Sequence, residues 1–246
     1  GVGGNLQDHL EFYFQLACTQ PDRARARQLV SEGIELAHSN DMQDQVAFGH
    51  IRLGSFYLLD GNHAEAEHHF QQGLNYARTH RVRRLEALAL SHLGSLRQLQ
   101  KRTEEALRLL EQARDFYEQG GYRKESHEVA SLIGRSRRQQ GDYAGALDAF
   151  LRLLKSAEQS NDPLMVGNAH REAGVVLTLH ERLPRAVEHL DESLRIYRSR
   201  NQQMLVAYAQ VNRAHALLPA GRFDEARAAI EEAAAYAARP ESPNRE

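Results

Sequence analysis

A forty-residue period governs this chain. From Ala26, steps of forty land on Ala66, Ala106, Ala146, Ala186 and Ala226, alanine every time. Twelve residues before each alanine stand Phe14, Gly54, Gly94, Gly134, Gly174 and Ala214, four of them glycine. Four residues after each stand Val30, Phe70, Leu110, Phe150, Leu190 and Ile230, all apolar. Seven after stand Gly33, Gly73, Ala113, Leu153, Ser193 and Ala233, mostly small. No insertion or deletion breaks the register, so each forty-residue unit must be a structure that packs against copies of itself.

The unit reads as two helices. With 6 Pro and 17 Gly in 246 residues, the chain has few breakers against its many helix-forming residues. Turn residues recur midway, as Pro21-Asp22, Gly61-Asn62, Gly141-Asp142 and Gly221-Arg222. Asp22, Asn62 and Asp142 share one phase and suit an N-cap, with Asn62 and Glu65 forming a capping box. Stop signals follow the second helices at Asn40-Asp41, Gly120-Gly121, 160–163 and Asn201. First helices are expected near 5–19, 42–60, 82–100, 122–140, 163–180 and 202–219. Second helices are expected near 23–39, 63–79, 103–119, 143–159, 183–199 and 223–238. The expected fold is all-α, an α-solenoid of six helix-turn-helix repeats in a right-handed superhelix. Residues 1–238 would form one array, with repeats at about 5–40, 41–80, 81–120, 121–160, 161–200 and 201–238, and 239–246 would be a polar tail.

Within this frame Leu53-Gly54, Tyr57, Gly61, Ala66, Phe70 and Gly73 carry a resemblance. They resemble the tetratricopeptide-repeat (TPR) signature of small and large residues. The ordinary TPR unit has about 34 residues. The longer unit here resembles a long-repeat subclass that includes the Pins/LGN adaptors, kinesin light chains and bacterial peptide-sensing regulators. HEAT arrays share the length but not the Gly-then-Ala columns. The sequence also departs from the signature. The usually aromatic column reads Ala17, Tyr57, Arg97, Arg137, Leu177 and Leu217, and its two arginines suggest looser packing or exposure. The column after the glycine reads Gln15, Ser55, Ser95, Arg135, Val175 and His215, so the asparagine ladder of the Pins/LGN group is not implied.

Residues 1–21, GVGGNLQDHLEFYFQLACTQP, resemble instead a short segment of choline dehydrogenase, in the glucose–methanol–choline flavin oxidoreductases. The dinucleotide-binding glycine motif and its flanking strand and helix are absent, so no flavin site follows. Leu10, Phe12, Phe14 and Leu16 alternate as in a strand, while Leu6, Leu10, Phe14 and Ala17 fit a helical stripe. A lone strand would leave its backbone unpaired, so this segment is read as the first helix of repeat one.

Composition excludes several functions. Lys plus Arg is 31 and Asp plus Glu is 33, a net charge of −2, which gives no electrostatic case for nucleic acid or an anionic membrane. No apolar run approaches ~18 residues, so no transmembrane helix is expected. The single Cys18 excludes an intrachain disulfide and a thiolate zinc cluster, and is read as packing. With no signal peptide, the expected location is cytoplasmic. Among 13 histidines, His63–Glu67 and Glu65–His69 sit one turn apart, but without HExxH spacing or a third ligand they read as a solvated helix face. No catalytic, cofactor or metal residues are expected, and no enzyme. A flavin-dependent alcohol oxidoreductase is the remote alternative raised by residues 1–21.

Function should lie on the face that the first helices present. Opposite the Gly–Ala stripe stand Phe48, Ile51 and Ser55; Leu88, Ser91 and Ser95; Glu128, Ser131 and Arg135; Asn168, Arg171 and Val175; and Tyr208, Val211 and His215. The expected ligand is a peptide segment of a partner protein, with its apolar side chains against repeats two and three and its acidic groups against Arg135 and Arg171. The alternative is a sensory or regulatory module of a larger bacterial signalling protein. Its last helix, rich in small residues, could pack on another copy or a further domain.

Overall fold

A computed structural model describes residues 2–238, and the expected polar tail at 239–246 lies outside the described residues. All regular structure in this range is helical. In chain order the helices are α1 (Val2–Thr19), α2 (Arg23–Ser39), α3 (Gln43–Leu59), α4 (His63–Thr79), α5 (Arg83–Leu99) and α6 (Thr103–Gln119). They continue as α7 (Arg123–Gln139), α8 (Tyr143–Gln159), α9 (Pro163–Leu179), α10 (Leu183–Ser199), α11 (Gln203–Leu217) and α12 (Phe223–Ala237). The expected helices are all present, with α1 starting three residues earlier than expected. The helical reading of the N-terminal segment holds, and α1 packs on α2 as the first helix of a hairpin.

The chain forms two compact units, Gly1–Val129 and Ala130–Glu246, divided within α7. In the first unit each helix packs on its chain neighbour, and α3 also touches α1 and α5. In the second, α8 to α12 pack successively, and α9 also touches α11. This is solenoid packing, in which a hairpin contacts only adjacent hairpins.

The conserved-looking columns of the period have a joint explanation. A Cβ added at Gly54 would lie 2.5 Å from the Phe70 ring and 3.1 Å from the Ala66 carbonyl oxygen. The glycine thus makes room both for the opposite backbone and for the large residue one turn on. Gly94 does the same for Leu110 and Gly174 for Leu190, while Gly134 makes room for the Phe150 ring. The first hairpin inverts the sizes. Phe14 takes the glycine position, the smaller Val30 lies opposite, and Gly33 and Gly49 accommodate the ring. Phe14 also meets Phe48 edge-on at 5.5 Å. Ile230, expected to fill space between hairpins, is instead 49% exposed, whereas its five equivalents are 0% exposed. No further hairpin follows it among the described residues.

The connections repeat every twenty residues. Asp41, Gly61, Arg81, Lys101, Gly121, Gly141, Asn161, Glu181, Asn201 and Gly221 all have positive φ. After α3, for example, Gly61 N–H bonds the Leu58 carbonyl at 3.0 Å and Asn62 N–H bonds the Tyr57 carbonyl at 2.9 Å. Arg102 to Arg97 and Arg182 to Leu177 repeat the longer bond, which is the Schellman ending. The residue that closes one helix then opens the next. Asp22, Asn62, Asp142 and Asp162 accept from the backbone of the following turn, at 2.8–3.3 Å. Pro21 has its φ held negative, so the α1–α2 connection departs from the pattern.

The left-handed position offers a stability test. Lys101 and Glu181 occupy it with full side chains, at φ of 59° and 57°. Lys101→Gly and Glu181→Gly should each raise stability by about 0.5–1 kcal/mol, read as a higher urea midpoint at unchanged slope. A lower midpoint would contradict this account of the turn.

Candidate functional site

The first helices of the first unit enclose two adjoining cavities. One, of about 500 Å³, is lined by Glu11, Phe14 and Gln15 of α1, Asp44, Gln45, Phe48 and Arg52 of α3, and Leu85 and Leu88 of α5, with Val82, Arg84, Tyr117 and Glu125. The other, of about 440 Å³, is lined by Phe48, Ile51, Arg52 and Ser55 of α3, Leu88 and His92 of α5, and Lys124, Glu125 and Glu128 of α7. Among the residues expected at the face, Phe48, Ile51, Ser55, Leu88 and Glu128 are therefore brought together. Ile51 contributes little accessible surface, because most of its side chain lies in the core. Ser55 and Ser91 turn their hydroxyls back to their own helix, bonding the Ile51 and Leu88 carbonyls at 3.0 and 2.8 Å. Ser95 is half-buried on α5.

Sequence reasoning passed over Arg52, which lies in the wall of both cavities. Its guanidinium sits 5.1 Å from the Phe48 ring centre, and its buried Nε has no hydrogen-bond partner. The available signal was its place four residues after Phe48, one turn along the same face. Burial, and then the Arg52 charge, push the His92 imidazole down to about 4. Burial, and then Glu125, push the Tyr117 phenol up to about 12. Arg84 pairs with Glu125 at 3.1 Å at the rim.

The second unit presents a more polar face. Arg171 bonds Glu172 at 2.7 Å, and Glu172 is only 5% exposed. The Tyr197 hydroxyl donates to Asn168 Oδ1 at 2.7 Å. Burial lowers the Arg171 pKa, but Glu172 and Tyr197 outweigh it and the net direction is up. Arg135 goes the other way, because burial outweighs the attraction of Glu172. Ser131 and Val175 are half-buried on α7 and α9. On α11, Tyr208 is 49% and Val211 41% exposed, and His215 is exposed beside them.

Several expectations need correction. Arg97 is not loosely packed or exposed. Its side chain is 12% exposed and grips both oxygens of Glu67, at 2.5 and 2.6 Å. That grip holds the Glu67 carboxyl below its ordinary range. Arg97 thus replaces the aromatic of its column with an ion pair to the preceding hairpin. Cys18 is exposed rather than packed, because it follows buried Ala17 on the outer side of α1. In the stretch from His63 to His69, His63 and Glu65 are exposed as expected, while Glu67 pairs with Arg97 and His69 meets His50. His50 and His69 approach with Nδ1 to Nδ1 at 3.1 Å. His170 and His189 repeat this three repeats later, at 2.9 Å. The same two positions read Leu10 and Leu29, Leu90 and Leu109, and Ala130 and Ala149 in other repeats, so the matched identities were visible in the sequence. Among the described residues no group of three or more metal-ligating side chains comes together, and no helix is long and apolar enough to cross a membrane.

Tetratricopeptide-repeat family models match residues 45–119 and 131–201. The chain belongs to the tetratricopeptide-repeat family. The TPR fold extends beyond the matched segments. BtubC (BKLC) from P. vanneervenii superposes with a TM-score of 0.73 at 17% identity, covering 92% of this chain and 97% of that one. A Rap protein complexed with competence and sporulation factor gives a TM-score of 0.70 at 16% identity, covering 94% and 77%. A putative kinesin light chain from Podosopora anserina, described as having nearly identical TPR-like repeats, gives 0.64 at 16%, covering 78% and 95%. At these identities the likeness is one of fold.

Proposed function

We propose that this TPR protein is an interaction scaffold whose first-helix faces bind a peptide segment of a partner protein. The observation that carries the reading is the pair of cavities that share Phe48 and Leu88 in their walls, with the unbonded Arg52 Nε beside them and charged residues of both signs around. Such a surface suits a segment that alternates apolar and acidic side chains. In the second unit Arg135, Asn168 and Arg171 would receive further acidic groups. Tyr208, Val211 and His215 would extend the contact along α11. The solved Rap complex supports this reading, since a protein of the same fold holds a bound factor. The forty-residue unit supports a place among the long-repeat TPR proteins, and a cytoplasmic setting is the one we propose.

The test begins with capture of partner proteins on the immobilised chain. Arg135→Glu combined with Arg171→Glu should weaken capture about tenfold or more, with helicity by circular dichroism unchanged. Equal capture by the variant would remove the acidic-ligand part of the reading.

A second reading, a regulatory module that self-associates, is favoured by the exposed apolar residues of the last hairpin. Phe223 is 65% and Ile230 49% exposed, and Leu218 lies nearby in sequence at 44%. Mass measured against concentration should rise if these surfaces meet. A strict monomer at high concentration would count against it.

A further inference from the structure

Three arginines in the second unit carry more charge than their surroundings balance. Arg135 and Arg138 stand three residues apart on α7, hence on one side of the helix, and Arg171 stands on α9. Arg138 and Arg171 both lie within electrostatic range of Arg135. Each of the three has a buried Nε with no hydrogen-bond partner. Among the described residues Glu172 is the one carboxylate shown to engage the group, bonded to Arg171 and acting on Arg135 through space. Among the described residues Arg135 and Arg138 form no ion pair. Three guanidiniums against one carboxylate leave two positive charges uncompensated.

Partly buried charge of this kind is costly unless it is paired, and an orphaned N–H adds to the cost. An incoming carboxylate would neutralise one of the two charges. A phosphate monoester carries about −1.5 to −2 at neutral pH and offers three acceptor oxygens. Planar guanidinium forks match those oxygens in pairs. We propose that Arg135, Arg138 and Arg171 form a site for a phosphoryl dianion carried on a side chain of the bound partner segment. The inference rests on the peptide-binding reading and specifies the chemistry of its acidic group.

Inorganic phosphate is the first probe, titrated to about 10 mM at constant ionic strength, with acetate alongside. Melting temperature and calorimetry on the full chain should show saturable binding of phosphate that acetate does not match. Arg138→Gln and Arg135→Gln should each weaken phosphate binding about tenfold or more. Without phosphate, neither variant should melt lower than the parent, because each removes an uncompensated charge. A merely structural arginine would lower the melting temperature and leave the remaining phosphate response intact. Phosphatase treatment of the captured partner should then reduce its retention to the level seen with Arg138→Gln. The site is refuted if phosphate gives no saturable response, if acetate matches it, or if both variants respond like the parent. Capture that survives both phosphatase and Arg138→Gln also overturns the phosphoryl site but leaves the peptide reading standing. Phosphate bound at the arginines with no partner ever captured overturns the assignment to a partner side chain.

Discussion

Replacing Gly54 with leucine is expected to destabilise the protein by about 4 kcal/mol or more, enough to unfold a marginal array under native conditions. The Cβ alone would stand 2.5 Å from the Phe70 ring and 3.1 Å from a backbone oxygen of α4. The ring could move, but the backbone could move only by spreading the hairpin. The rest of the leucine side chain would then enter a core whose neighbours Ala66 and Phe70 are fully buried. Gly54→Ala should cost less, about 1–3 kcal/mol. Adding Phe70→Val to Gly54→Leu should recover part of the loss, because α1 and α2 already pair a large residue with a valine at these positions. Recovery should stay incomplete, since the first hairpin also relies on Gly49, where the next repeat has Ala89. Urea unfolding of the three variants checks the ordering. A Gly54→Leu protein as stable as the parent would show that the glycine column does not set the hairpin spacing.

Stability should also fall steeply as pH drops from about 6.5 towards 4. His50 and His92 are both pushed down to about 4, chiefly by burial, and His69, His170 and His189 are lowered for the same first reason. Neighbouring charge adds to this. His50 faces His69 and His68, while His68 lowers and Glu65 raises His69. Glu192 opposes the lowering at His170 and Glu188 opposes it at His189, while Arg195 and Arg185 reinforce it. The sign follows from proton uptake. Between the unfolded and folded pKa values the unfolded chain binds more protons, so stability is complete above the unfolded value near 6.5 and is lost as pH falls. For His92 the loss at pH 5 is about 2 kcal/mol, and the partly exposed histidines add smaller amounts. Glu67 and Glu192, held low by arginine, contribute a separate loss below about 4.5. Melting temperature measured from pH 7.5 to 4 should show both phases. His50→Leu with His69→Leu, which copies the Leu10 and Leu29 arrangement, should shrink the upper phase while the protein remains folded. An unchanged upper phase would show that this pair takes up protons equally in the folded and the unfolded chain.

The arrangement of helices was legible because a repeated unit must fit its own copy. A glycine at one phase requires a large residue at another, and Gly54 with Phe70, or Gly134 with Phe150, record that requirement directly in the chain. The connections were only half legible. Gly61, Gly121, Gly141 and Gly221 advertise the left-handed turn, but Arg81, Lys101 and Glu181 adopt it without any favourable side chain, since the Schellman bonds hold the backbone there. On the candidate faces, Phe48 and Leu88 followed from phase alone. Arg52 did not, because an arginine one turn further on reads as a solvated charge until its burial is known.

What the sequence determined by itself, then, is whatever depends on periodicity: helix, hairpin, the size match across each pair and the face that the first helices share. Local bonding and steric fit repeat with the chain and can be read along it. Tertiary structure alone decided which charges find partners. Arg97 meets Glu67 thirty residues away, whereas Arg135 lies near Arg138, Arg171 and one carboxylate, Glu172, and forms no ion pair among the described residues. Electrostatic balance and desolvation depend on distances between side chains remote in the chain, and these exist only once the hairpins have stacked.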